Sequence, residues 1–124
     1  MDTNWETELN RCRKWLEPVF DKYETYRWED VILNVKEGKW WLLPLKKSAL
    51  LIEFIKYPRR NTLYVLAAGG DIEEITRSDR TVEKIARETN CTSIEIRGRK
   101  GWEKIAKQMY PDYKTKYVVI SKEL

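Results

Sequence analysis

The chain begins with a helical hydrophobic pattern. Apolar residues recur every three or four positions over residues 5–20, with charged residues between them. This spacing predicts an amphipathic helix capped by Thr3 or Asn4. Pro18 lies inside the pattern, and because proline removes a backbone hydrogen bond we expect the helix to end or kink near Leu16.

A second helix is predicted over residues 27–37. Its spacing indicates that Val31, Ile32 and Val35 are buried. Gly38 is a natural stop for this helix, because glycine adopts the left-handed conformation that ends many helices. Two helices are therefore expected before the first strand.

From Trp40 onward the pattern is typical of β-strands. Three apolar runs with short connections follow, over residues 40–45, 48–56 and 62–67. Short connections predict antiparallel neighbours. Pro44 cannot donate to a ladder, so its strand is expected at an edge or at a bulge. The second strand is apolar on both faces except at Glu53, which predicts that both of its faces are covered.

The second half of the chain alternates helices and strands. A helix opened by Ser78 or Asp79 precedes a strand over residues 92–96, and another helix follows it. A last strand is predicted over residues 113–121. The resulting order, α-α-β-β-β-α-β-α-β, predicts an α/β (α+β) fold with a mixed sheet of about five strands, helices on both faces, and one domain over residues 1–124.

Composition excludes several kinds of site. The chain has no histidine, and Cys12 and Cys91 alone make neither a disulfide framework nor a Cys/His metal site. An enzyme would therefore need carboxylates, tyrosines, water or a cofactor for proton transfer. The 24 basic and 20 acidic residues are interspersed, which is not typical of a nucleic-acid-binding face. No apolar run approaches the roughly 20 residues of a membrane span, so we expect synthesis in the cytosol without export.

The corner between the fourth strand and the next helix has two interpretations. Three cations lie there: Arg97, Arg99 and Lys100. A helix N-terminus attracts anions, which favours an anion site. The alternative is a turn that seats Trp102 in the core and leaves the cations available to a partner. In that case, we expect replacement of Gly101 by valine to lower stability before it lowers any activity.

The order of elements resembles the GNAT acetyltransferase superfamily with its first strand missing. Individual residues resemble a family of small tailed-phage proteins with a GNAT-like fold, whose pattern is AGG, then GC, then GRxGW. The chain has Ala68-Gly69-Gly70, then Asn90-Cys91 in place of GC, then Gly98-Arg99-Lys100-Gly101-Trp102. The resemblance implies a phage protein with a GNAT-like fold.

The resemblance also implies where an acetyl-CoA loop would lie. Superfamily members hold the cofactor pyrophosphate on a loop of the form Q/R-x-x-G-x-G/A after the third strand of the meander. Ala68, Gly69 and Gly70 occupy that place here, with adjacent rather than alternate glycines. Three carboxylates follow them: Asp71, Glu73 and Glu74. Like charge at this place opposes a polyanion.

Two residues are candidates for catalysis if the chain is an acetyltransferase. Glu53 interrupts an apolar strand and is the candidate general base, or else a cleft carboxylate paired with a cation. Tyr110 lies two residues from the place near Gln108 where the superfamily's acid tyrosine would fall, which turns it to another helix face.

The altered loop favours a non-catalytic structural or binding protein without a cofactor or metal. The resemblance implies a virion-associated head, connector or tail component, with other phage structural proteins or a second copy as partners. The expected partner-binding residues are Arg97, Arg99, Lys100, Trp40 and Trp41. The alternatives are an N-acetyltransferase using acetyl-CoA and a nucleic-acid-binding protein that uses Arg59, Arg60 and the corner cations.

Overall fold

The computed structural model describes residues 4–98, 100–109 and 112–124, apart from the side chains of Tyr23, Lys100 and residues 107–109. Its helices and strands follow in the order α1 (Trp5–Tyr23), α2 (Trp28–Lys36), β1 (Trp41–Pro44), β2 (Ser48–Lys56), β3 (Asn61–Gly70), α3 (Ile72–Arg77), α4 (Asp79–Glu88), β4 (Ser93–Ile96) and α5 (Lys100–Met109). The predicted order is confirmed up to α5, except that two short helices stand where one was expected between β3 and β4.

Helix α1 passes through Pro18 without ending, so the expectation of a break near Leu16 was wrong. Proline inside a helix costs about 3 kcal/mol. Pro18 and Lys14, whose carbonyl loses its helical donor, both lie on the exposed face, where water can bond that carbonyl. Leu16 and Phe20 are buried on either side of Pro18 and hold the helix against the core. Among the described residues, no helix is both long and apolar enough to cross a membrane.

Helix α2 buries one narrow face. Val31 and Val35, four positions apart, are buried, whereas Ile32 is exposed, so the prediction that Ile32 is buried was wrong. Residues four apart share a helix face, and the next residue points about 100° away from it. The Asp30 side chain accepts a hydrogen bond from the Arg27 N–H at 2.9 Å, which closes the first turn.

The sheet has the strand order β1-β2-β3-β4. Strands β1, β2 and β3 are antiparallel neighbours, and β4 runs parallel to β3. Pro44 therefore lies in an edge strand, as predicted. The mixed α+β fold class is confirmed, although the sheet has four strands rather than about five.

Two cores flank the sheet, one on each face. Helices α1 and α2 cover one face and bury Leu51 of β2. Helices α3 and α4 cover the other face and bury Leu50 and Ile52 of the same strand. The prediction that β2 is covered on both faces is confirmed.

The predicted last strand over residues 113–121 does not form. This segment lies outside helices and strands, and Ile120 is 91% exposed. Side chains hold it instead of a backbone ladder: the Tyr113 hydroxyl donates to Asp79 at 2.8 Å, and the Tyr117 hydroxyl donates to Glu95 at 3.1 Å. An apolar β-branched run predicts a strand only where a neighbouring backbone is in register with it.

Candidate functional site

The sheet opens between β3 and β4, partway along β3. The parallel ladder ends where the Arg97 N–H donates to the Val65 carbonyl at 3.0 Å, while β3 continues to Gly70. At the same point β3 carries an extra residue, because Ile52 pairs with Val65 but Leu51 pairs with Ala67. Leu66 is thus the bulged residue. Bulges bend a strand away from its neighbour and often lie beside functional sites.

A cleft lies beside β3 where its ladder with β4 ends. The enclosed volume of the cleft is about 50 Å³, and the space widens to about 570 Å³ when the open mouth is included. It is lined by Val19, Phe20, Thr25, Tyr26, Leu66, Ala68, Arg97, Gly98 and Trp102. The lining is mostly apolar, with one cation at its edge, so the cleft is suited to a slender and largely uncharged ligand.

Stacked aromatic rings fix one wall of the cleft. Phe20 stacks on Trp40 with ring centroids 5.8 Å apart, and Tyr26 meets Trp40 edge-on at 4.9 Å. Trp40 is only 5% exposed, whereas Trp41 is 58% exposed. Of the two tryptophans predicted to meet a partner, only Trp41 is accessible to one, and Trp40 supports the cleft from behind.

The Gly98 corner closes the opposite wall. A Cβ atom on residue 98 would lie 2.8 Å from the Trp102 ring, so the indole packs directly on the glycine backbone. A Cβ atom on Gly101 would have no neighbour within 4 Å. Close packing therefore requires glycine at residue 98, whereas residue 101 has room for a Cβ atom; the effect of Gly101→Val on stability stays a prediction.

A row of polar residues crosses the sheet beside the cleft. Glu53 on β2 pairs with Tyr64 on β3, and Tyr64 pairs with Glu95 on β4. The Arg97 side chain, which lines the cleft, hydrogen-bonds Tyr64. Burial raises the pKa of Tyr64 above its ordinary value, and the nearby Arg97 only partly offsets this rise. The phenol therefore remains protonated at neutral pH.

Sequence reasoning counted Tyr64 among the aromatic residues that could anchor an interface and did not identify it as a catalytic candidate. It interrupts a mostly aliphatic strand, as Glu53 does, but only the register of β2 and β3 sets the two residues opposite each other. Tyr110 and Arg99 lie outside the described residues, and for Lys100 only the backbone, at the start of α5, is described. No group of side chains suited to a metal ion occurs in the part of the chain that the structure describes.

Close packing and backbone conformation require the two glycines at the end of β3, Gly69 and Gly70. A Cβ atom on Gly69 would overlap the Trp15 carbonyl, because β3 ends against the backbone of α1. Gly70 has a φ of +115°, which other residues rarely adopt, and it lies against Lys47 and Ser48. These two residues hold the end of β3 between α1 and the β1–β2 turn, while Ala68 lines the cleft.

Hydrogen bonds within the protein occupy several groups of the turn after β3, where the resemblance implies a pyrophosphate loop. Asp71 accepts a hydrogen bond from the Glu74 N–H at 3.1 Å, and its own N–H donates to the Lys47 carbonyl at 3.1 Å. Glu74 accepts bonds from the Lys47 N–H at 2.8 Å and from the Ser48 hydroxyl. The Ser48 bond is the main reason that the pKa of Glu74 lies below its ordinary value. A pyrophosphate bound by the Asp71 and Glu74 N–H groups would have to replace these bonds.

Comparison with known proteins identifies the fold. No family model matches the sequence, and no curated protein is similar to it. Solved structures do match over nearly the whole chain. A GNAT family acetyltransferase from Staphylococcus aureus has a TM-score of 0.62 at 13% identity, covering 100% of this chain and 94% of its own.

Two further structures agree with this match. A probable acetyltransferase has a TM-score of 0.67 at 10% identity, covering 96% of this chain and 95% of its own. An aminoglycoside acetyltransferase from an uncultured soil metagenomic sample, in complex with sisomicin, has a TM-score of 0.63 at 10% identity. The match covers 96% of this chain and 88% of that acetyltransferase. The chain therefore has a GNAT-like fold. At these identities, the likeness concerns the fold and not the reaction.

Proposed function

We propose that the chain is an acyltransferase of the GNAT type, which moves an acyl group from a thioester to an amine. The cleft between β3 and β4 carries this proposal, because the sheet opens beside the Leu66 bulge into a narrow, mostly apolar space. An acyl thioester on a slender, uncharged arm suits such a space. The shared fold of the solved acetyltransferases supports the same proposal.

The polar row supplies groups for the two proton transfers that this reaction needs. The amine nitrogen attacks the thioester carbonyl carbon, the C–S bond breaks, the amine loses a proton and the departing thiolate gains one. We assign proton acceptance to Glu53 and proton donation to Tyr64. Tyr64 suits its role because burial keeps it protonated and Arg97 holds its hydroxyl group.

The proposal is tested with two thioesters and the purified chain. Acetyl-CoA and acetyl-pantetheine are titrated by calorimetry, and thiol release is followed with a panel of amines. We expect saturable binding of at least one thioester, and release of its thiol that depends on both the amine and the protein. The absence of both binding and thiol release with either compound would overturn the proposal.

A second candidate is a non-catalytic binding protein, favoured by the carboxylates that occupy the turn after β3. In this case the exposed Trp41 is a contact for another protein, and the virion is the location that the sequence resemblance suggests. Recovery of the chain in purified phage particles, together with failure of both thioesters to bind, would favour this candidate.

A further inference from the structure

We infer that the acyl donor is recognised through its pantetheine arm alone, and that the turn after β3 excludes the pyrophosphate of a nucleotide carrier. This inference rests on the proposed acyltransferase function and names the donor for the same cleft. It assigns the chain a donor thioester in which no phosphate is bound by the protein.

The first support is that two backbone N–H groups of the turn are already bonded within the protein. A pyrophosphate at this place would need backbone N–H groups that point outward. The Asp71 N–H already bonds the Lys47 carbonyl, and the Glu74 N–H already bonds the Asp71 carboxylate. A phosphate would have to displace a carboxylate from the same donors.

The second support is charge. Basic residues do lie near the turn: Lys46 and Lys47 precede β2, and Arg11 bonds the Leu45 and Lys46 carbonyls. Three carboxylates offset them: Asp71, Glu73 and Glu74. A turn of nearly balanced charge gives a pyrophosphate little net attraction, and its acidic members repel it at close range.

The third support is that the turn has no room to reorganise. Gly69 lies against the α1 backbone and Gly70 against the β1–β2 turn, and neither place admits even a Cβ atom. Helix α3, which follows, has only six residues. Opening the turn for a phosphate would require moving α1 or the β1–β2 turn.

The test compares the two thioesters on the full chain. We expect acetyl-pantetheine to bind and react at least as well as acetyl-CoA. Acetyl-CoA affinity at least tenfold higher than that of acetyl-pantetheine would overturn the inference and leave the acyltransferase proposal standing. Failure of both compounds to bind and react would overturn the acyltransferase proposal itself.

A second test changes the charge of the turn at Glu73, an exposed residue whose substitution should not disturb folding. Glu73→Lys reverses one charge in the turn, and we expect acetyl-CoA affinity to rise about threefold to tenfold while acetyl-pantetheine affinity stays unchanged. Glu83→Lys, on α4, is the matched control and should change neither affinity. Equal effects of Glu73→Lys on both thioesters, or no effect on either, would show that charge in this turn does not select the donor.

Discussion

Gly98 and Trp102 lie in direct contact: a Cβ atom on residue 98 would come within 2.8 Å of the indole ring. Trp102 also packs against the second core and lines the cleft. The contact with Gly98 leads to the first prediction, which concerns stability.

Gly98→Ala should destabilise the fold by about 1–3 kcal/mol, because the added methyl group overlaps the Trp102 side chain near its root. Gly101→Ala is the matched control, since the Cβ atom enters open space within a helix; it should be neutral or stabilising by up to about 1 kcal/mol. Urea unfolding of both variants measures the difference. Equal destabilisation by the two substitutions would contradict the packing of this corner.

Gly69→Ala should be more damaging than Gly98→Ala. The new methyl group would overlap a backbone carbonyl of α1, which cannot rotate away as a side chain can, so we expect a loss of at least about 3 kcal/mol. The readout is the urea midpoint, or the soluble yield if the variant does not fold. A variant as stable as the parent chain would show that α1 does not lie against β3 at this place.

The two adjacent tryptophans should behave differently. Trp40→Ala removes a buried ring that stacks on Phe20, and it should cost about 3–5 kcal/mol. Trp41→Ala removes a mostly exposed ring and should cost less than about 1 kcal/mol. Thermal or urea unfolding separates them, and similar losses for both would contradict the burial of Trp40.

Glu74 should make stability depend on pH on the acidic side. Hydrogen bonds from Ser48 and the Lys47 N–H lower its pKa below the ordinary value of 4.5, so its carboxylate stabilises the fold above that value and stops doing so as pH falls through the lowered pKa. We expect Glu74→Gln to reduce stability at neutral pH and to flatten its decline between about pH 5 and pH 3. Urea midpoints across that range measure the effect.

Glu73→Gln is the control for this pH dependence, because it removes the same charge from an exposed neighbour in the same turn. It leaves the Ser48 and Lys47 bonds to Glu74 in place, so the decline that those bonds cause should remain. A Glu74→Gln profile that remains parallel to that of the parent chain would show that the Ser48 and Lys47 bonds do not hold the carboxylate in solution.

Tyr64→Phe should lower kcat in the thiol-release assay by about a hundredfold, because the variant cannot supply a proton to the thiolate. In the parent chain, the loss of activity caused by ionisation of Tyr64 should begin above the ordinary tyrosine value of 10.0, since the pKa of Tyr64 is raised. Tyr57→Phe, an exposed tyrosine after β2, is the control. Unchanged kcat in Tyr64→Phe would remove this residue from the reaction.

Much of the fold could be predicted from local patterns. The spacing over residues 5–20 predicted α1 and its buried face, and Pro44 indicated that β1 is an edge strand. These features depend on residues that are close in sequence, where hydrophobic period and backbone chemistry act directly. Pro18 and Ile32 were mispredicted because burial elsewhere in the fold decides whether a helix survives a proline and which face it turns inward.

The candidate site could be predicted only in part. Glu53 was recognisable as a charge in an apolar strand, but its pairing with Tyr64 depends on the register of β2 and β3. The bulge at Leu66 and the opening beside Arg97 likewise depend on how three strands meet. No local sequence pattern specifies how these strands pair, because each strand alone is compatible with several registers.

For this protein, the sequence by itself determined the succession of helices and strands as far as β3, the absence of histidine chemistry and the acidic character of the turn after β3. Tertiary structure alone decided that Trp40 is buried while Trp41 is exposed, that Gly98 rather than Gly101 shapes the corner, and that residues 113–121 stay outside the sheet. The physical reason is that local propensity acts along the chain, whereas burial, close approach and ladder pairing depend on neighbours that only the fold brings together.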